Sequence, residues 1–415
     1  MIRLSQSLPI SSLANLQLSE VAVCSSTPDG MIAYFDFNKS LVLSSKKYSE
    51  GLKSLSPGPS DSKLSFSGWV GFFGYEFLAA NYGIQLCAKR DLEVPDGWFG
   101  RPDSIIRFFQ DHTEIESTSP IRENELFKLL EEYEDIDPFN SSLSAKSISC
   151  NLNFEDYEDI FARAREAILD GETYQIKISQ RYEAEAKIDP LLAFSKLHLA
   201  NPAPESFLLT TADFSIVSCS PEVVIDKRDD HIFTRPIGGT YERKSSHSEK
   251  SVIERFLQDP KEVAEHNMLV DLERNDLATL CKTGSVQLER FREVETYAHL
   301  HHLVSTISGR LRAGISLKEI LQAMLPGGSI TGCPKARTIH WIDQLEPCFR
   351  GPYTGSFGTL SDNGDLRLNL IIRAMLVLDD RCYTQAGGGI VVDSTPDYEF
   401  NENQLKARAL LELLQ

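Results

Sequence analysis

The stretch DPKEVAEHNMLVDLERND, residues 259–276, places two carboxylates where a helix would continue its apolar stripe. Asp259 followed by Pro260 predicts an N-cap with proline in the first helical turn. Leu269 and Leu272 predict the buried face, and helical spacing back along that face reaches Glu265 and then Glu262. The run DYEFNENQLKARALLELL repeats the arrangement, with Glu399, Glu402 and Lys406 on a face that continues toward Ala409 and Leu413. Two helices whose apolar stripes turn acidic constrain the fold, because carboxylates held in a partly buried site need a partner. One shared hard cation would serve both, and oxygen-only ligands favour magnesium. Each pair alone also fits a plainer account. Glu262 can belong to a capping-box-like turn with Asp259, and Glu399 with Glu402 can form salt bridges on a solvated surface.

The charge balance limits what could bind. A net charge of −18 over 415 residues argues against nucleic acid or an anionic membrane, both of which need a positive field. An anionic ligand would have to be drawn in locally, by Arg, Lys, backbone N–H groups or a metal. The eight cysteines are scattered with no CxxC pair, as suits a reducing cytosol better than a disulfide framework. The start, MIRLSQSLPISSL, is too polar for a signal peptide, and the apolar patch GWVGFFGYEFLAA is short and interrupted by Glu76. These features predict a cytoplasmic protein without a membrane span.

No internal repeat is visible. The Ser- and Asn-rich stretch 138–151 reads as a linker or crossing, separating an N-terminal subregion (1–150) from a larger part (151–415). Before it, MIAYFDF and SIIRFFQ predict strands and RENELFKLLEEYE a helix. After it, Asn153 caps a predicted helix with Ile160, Phe161, Ala164 and Ile168 as its stripe and Gly171 as its end. TYQIKISQRYEAE then alternates as a strand: Tyr174, Ile176 and Ile178 point one way, Gln175, Lys177 and Ser179 the other. Pattern alone favours a solvated face for that polar row over a cleft.

Two glycine-rich stretches follow. In LPGGSITGCPKAR, Gly327 and Gly332 have P-loop spacing, but Cys333-Pro334 stands where Lys-Ser/Thr is required, which disfavours nucleotide binding. Pro334 is expected at a helix start, with the preceding turn presenting N–H groups to an anion or closing on itself. QAGGGIVVD reads as a second such turn, at Gly387, Gly388 and Gly389. YAHLHHLVS holds His299, His301 and His302 without a nearby thiol or carboxylate at zinc spacing. One catalytic or core histidine is the favoured reading.

In order along the chain stand SPE, RPIGGT, KEVAEHNMLVDLERND, HHLVSTISG, PGGSITGCPKAR, RGPYTGSFG, LNLIIRA, QAGGGIVVDS and YEFNENQLKARALL. With this set the chain resembles the chorismate-utilising enzymes over about residues 153–412, and GWVGFFGYEF extends the likeness weakly toward the N-terminus. The resemblance implies an α+β fold of two large, mainly antiparallel sheets packed together with helices outside. It implies Mg²⁺ on Glu265 and Glu402, supported by Glu262 and Glu399. Arg373, Tyr353, Lys406 and the backbone at Gly387 and Gly389 would grip the carboxylates of chorismate. Gly239, Thr240 and Ser329 would line the ring pocket, His302 would face the ring, and Glu222 matches a general acid near the departing hydroxyl.

Within the family, water-adding members carry a lysine base where this chain has Gln175, so the resemblance implies ammonia chemistry. PGGSITG is the form typical of amination to 4-amino-4-deoxychorismate, for para-aminobenzoate and folate, with anthranilate formation as the alternative. Gly238 departs from the pattern, because many members of the first kind have a nucleophilic lysine there. The likeness leaves no stretch for a glutamine amidotransferase, which implies ammonia from a separate glutaminase subunit. An isochorismate-forming or non-catalytic chorismate-binding role is less favoured.

Overall fold

The computed structural model describes residues 1–27, 30–57, 63–133, 143–242, 249–296 and 300–414, with Thr240 described by its backbone only. Among these residues twenty strands join through antiparallel ladders into one hydrogen-bonded network, accompanied by eleven α-helices. This is the α+β class expected, with the strands linked continuously. The ladders also cross the boundary near residue 150. Val21–Thr27 pairs with Glu205–Thr210, and Gly68–Phe73 pairs with Ser356–Ser361. Of the stretch read as a linker, 138–142 lies outside the described residues, while Ser147–Cys150 is a strand along Tyr182–Glu185. No helix among the described residues is long and apolar enough to cross a membrane.

The helix Phe154–Leu169 forms as its sequence predicts. The Asn153 side chain accepts from Asp156 N at 2.9 Å, and Gly171 takes φ +77° beyond the end. Its buried residues Tyr157, Ile160, Phe161 and Ala164 pack with Ile176, Ile178 and Ile390 of two neighbouring strands. Each such aliphatic side chain taken from water contributes about 1.5–3 kcal/mol, which fixes these strands beneath the helix.

The acidic helix spans Pro260–Leu280, capped by Asp259 Oδ1 accepting from Lys261 N (3.0 Å) and Glu262 N (3.2 Å). Val270, Leu277 and Leu280 anchor its far end in a core with Ile307, Ile320 and Leu321. The second acidic helix spans Pro396–Glu412. Its most buried line is Glu399, Asn403, Ala407 and Leu410, so Glu402 and Lys406 sit on the flank of that line.

Two expectations are overturned. The Gln175–Glu185 strand does not present its polar row to solvent: Gln175 and Ser179 are buried, and the Lys177 side chain is 12% exposed. Both faces are covered, which alternation along a single strand cannot reveal. The second glycine-rich stretch is no turn. Gly387, Gly388 and Gly389 lie within the strand Arg381–Ile390, opposite Ser179, Ile178 and Lys177.

Candidate active site

Glycine is required in mid-strand here because polar groups press against the backbone. A Cβ at Gly388 would stand 2.7 Å from Glu399 Oε2, 3.0 Å from Asn403 Oδ1 and 3.1 Å from Glu402 Oε2. One at Gly387 would meet the Tyr353 hydroxyl at 3.0 Å, and one at Gly389 the Lys177 ammonium at 2.6 Å. The strand is thus a bare ribbon ringed by charged and hydroxyl heads.

The two acidic helices reach this ribbon from different directions. Glu265 Oε1 lies 3.5 Å from Lys177 Nζ, and Glu402 Oε2 lies 3.3 Å from Lys406 Nζ. Lys406 Nζ also donates to Gly387 O at 3.2 Å. Glu399 is buried and its Oε1 accepts from Ser394 Oγ at 2.8 Å. Glu262 Oε2 lies 3.0 Å from where a Cβ on Gly239 would stand, and Gly239 itself takes φ +68°. Lys177, helped by Lys406 and Lys261, outweighs desolvation and holds the Glu265 carboxyl below its ordinary range. Burial and then the neighbouring Glu402 push Glu399 upward. The donor set is all oxygen, and Asn403 Oδ1 is buried there with no hydrogen-bond partner. Such donors fit a hard cation. Among the described residues, however, no three carboxylate, imidazole or thiolate groups converge as a ready metal shell.

On the other side of the pocket Glu222 accepts from Ser329 Oγ at 2.9 Å. Burial pushes its pKa up to about 7, against the pull of Ser329, Lys177 and Arg373. His302 has a fixed tautomer. Arg373 Nη2 stands 2.9 Å from Nε2, and a guanidinium can only donate, so Nε2 accepts. Nδ1 therefore carries the proton and donates to Gly239 O at 3.1 Å. Burial, with Arg373 next, lowers the imidazole to about 3, so it is neutral at any working pH. Arg373 is held at φ +48°, a left-handed conformation uncommon for arginine.

A buried residue that the sequence reading did not single out ties these parts together. Arg350 Nε and Nη2 pair with both carboxylate oxygens of Glu346, at 2.8 and 2.7 Å. Its remaining N–H groups donate to Ile330 O (3.1 Å), beside Ser329, to Thr354 Oγ1 (3.3 Å) and to Lys177 O (2.9 Å). Glu346 Oε1 also accepts from Ser179 N and Oγ. Glu76, from the N-terminal subregion, accepts from Arg350 N and Gly351 N at 2.8 and 3.0 Å. The one signal for it was a carboxylate inside an otherwise apolar run.

Contacts link the expected residues in two groups, Glu265, Glu399, Glu402, Lys406 and Tyr353 around Gly387–Gly389, and Glu262, Gly239, His302 and Arg373 beside Glu222 and Ser329. Thr240 pairs with His302 in the ladder, but its side chain is outside the described set. His299 lies outside the described residues, while His301 is buried with Nδ1 2.9 Å from Thr296 Oγ1. Glu222, Glu265 and His302 all feel Lys177 or Lys406, which places both halves of the pocket within one field.

The chain belongs to the family of chorismate binding enzymes, whose family model matches residues 21–412. It is 43% identical over 258 residues to anthranilate synthase component 1 1 of Haloarcula marismortui, a match covering 62% of this chain and 53% of that one. It spans about half of that relative's length. Against aminodeoxychorismate synthase component 1 of Bacillus subtilis, identity is 33% over 363 residues, covering 84% of this chain and 77% of the relative. Among solved structures, anthranilate synthase component I of Streptococcus pneumoniae superposes with TM-score 0.80 at 29% identity, covering 93% of each chain.

Proposed function

We propose that this chain aminates chorismate to 4-amino-4-deoxychorismate, using ammonia from a separate glutamine amidotransferase subunit. The observation that carries the ammonia chemistry is Gln175. It is 1% exposed at the pocket edge, beside Gly389, and its Oε1 has no hydrogen-bond partner. An amide cannot deprotonate water, so this position supplies no base for hydroxylation.

The pocket's own groups divide the remaining work. Arg373, Tyr353, Lys406 and the backbone at Gly387 and Gly389 take the substrate's carboxylates, and Gly239, Thr240 and Ser329 line its ring. Neutral His302, oriented by Gly239 O, faces the ring. Glu222 still holds a proton near neutral pH because burial has raised it to about 7, and it delivers that proton to the departing hydroxyl. A C–O bond breaks, water leaves, a C–N bond forms, and the surplus proton of ammonia is released. Glu265 and Glu402, with Glu262 and Glu399 beside them, would hold Mg²⁺, which supplies positive charge toward a substrate carboxylate when bound.

The PGGSITG form supports the para product. A second reading, anthranilate plus pyruvate, is favoured by the 43% identity to the Haloarcula marismortui relative and by Gly238. A Cβ at 238 would meet His266 Nδ1 at 2.8 Å, so this position is packed against a helix and offers no nucleophile. Incubating the purified chain with chorismate, Mg²⁺ and ammonium, then identifying the product by mass spectrometry, separates these. 4-Amino-4-deoxychorismate is expected, anthranilate with pyruvate would establish the second reading, and unchanged chorismate would overturn both.

A further inference from the structure

Lys177 has no part in the chemistry assigned so far, and its placement is unusual. Lysine is rarely buried in a strand interior without a partner. Here its side chain lies between two buried neighbours of the same row, Gln175 and Ser179, on a strand covered on both faces. Its backbone carbonyl is pinned by Arg350 and its ladder partner is Gly389. Its ammonium therefore points into the pocket from a rigid base. It stands 3.5 Å from Glu265 Oε1 and feels Glu402 and Glu399 as well.

We infer that the Lys177 ammonium is the resident counter-ion of the acidic cluster, and that a divalent cation enters by displacing it from Glu265. The inference rests on the metal reading above. Two helices bring Glu265, Glu399 and Glu402 toward one ribbon, with Glu262 one turn back from Glu265, against Gly239. Lys406 is engaged with Glu402, which leaves Lys177 as the cation on Glu265. An ammonium and a divalent ion cannot share one carboxylate oxygen at contact distance, since their repulsion in a partly buried site is large. Binding is therefore an exchange. The displaced ammonium, on a flexible four-carbon stem, need only draw back from Glu265, since it already lies 2.6 Å from where a Cβ on Gly389 would stand, where the substrate's carboxylate is expected.

The test measures Mg²⁺ affinity by calorimetry and thermal stability in chelator, neither of which requires turnover. Lys177→Met should tighten Mg²⁺ binding by about tenfold, melt lower than wild type in chelator, and gain more from added Mg²⁺. Lys177→Arg keeps the charge and should stay near the wild-type affinity. Removing any nearby lysine strengthens the negative field, so Lys261→Met is the control. Lys261 also feels Glu262, Glu265 and Glu399, but its ammonium stacks 4.0 Å over the Tyr398 ring. It should tighten binding by no more than about twofold, as befits a partly screened charge. If Lys177→Met folds only with Mg²⁺ present, a melting temperature rising steeply with Mg²⁺ concentration supports the exchange. Equal tightening in the Lys177→Met and Lys261→Met variants would overturn displacement while leaving the metal site standing. Absence of Mg²⁺ binding in wild type and variants alike would overturn the metal reading and this inference with it.

Discussion

Arg350→Met removes the centre of the buried network behind the pocket. Arg350 and Glu346 side chains are 2% and 4% exposed, so neither ion is compensated by water. Breaking such a pair by deleting one partner costs about 3–5 kcal/mol, because the other charge is stranded. Glu346 would keep Ser179 N and Oγ, which places the cost toward the lower end of that range. The carbonyls of Ile330 and Lys177 each lose a donor, at about 1–3 kcal/mol apiece where no water reaches them. A loss of about 5 kcal/mol is expected in urea unfolding followed by circular dichroism. Arg350→Met combined with Glu346→Gln removes both charges and should recover about 2 kcal/mol relative to the single variant. Because Ile330 adjoins Ser329 and Lys177 faces the acidic helices, KM for chorismate should rise in the double variant even where it is folded. A single variant losing less than about 1.5 kcal/mol, or a double variant as damaged as the two singles summed, would refute the network as the pocket's support.

Gly238→Lys should yield no covalent substrate adduct by intact-protein mass spectrometry. It should instead lose about 1–3 kcal/mol in urea unfolding, since its Cβ meets His266 Nδ1 at 2.8 Å and the helix backbone at 3.0 Å. Wild-type stability in that variant would contradict the packing. At constant free ammonia, kcat/KM should fall as pH rises through about 7, where Glu222 loses its proton. Glu222→Gln should flatten that limb and cost about 10²–10⁴ in rate. The folded-state pKa of Glu222 lies above its ordinary 4.5, so its contribution to stability is present below that value and is lost as pH rises through about 7. The Gln variant should lack this slope.

The acidic helices were legible because helical spacing is local: Asp259, Pro260 and the carboxylate positions follow from the chain itself. Whether the row of Gln175, Lys177 and Ser179 faces water was not, since the cover on that face comes from residues far along the chain, such as Glu346 on Ser179. The glycines 387–389 were misread as a turn for a related reason. Side-chain loss at turns and at close approaches leaves the same residue type, and only the tertiary approach of Tyr353, Glu399 and Lys177 distinguishes them. Arg350 was invisible because its network reaches 274 residues back to Glu76. The family resemblance proposes the site residues by motif, and the structure adds what motif cannot: the partners that fix the tautomer of His302, the burial that raises Glu222 and the ammonium 3.5 Å from Glu265.

The central claim is that a pocket with Gln175 in place of a base uses ammonia and not water. The most direct measurement follows chorismate consumption by the chain alone at fixed total ammonium while pH is varied, beside the same series without ammonium. Once the decline expected from Glu222 is divided out, the rate should track the concentration of unprotonated ammonia, and the series without ammonium should show no turnover. Steady conversion of chorismate to isochorismate in the absence of ammonium would contradict the account.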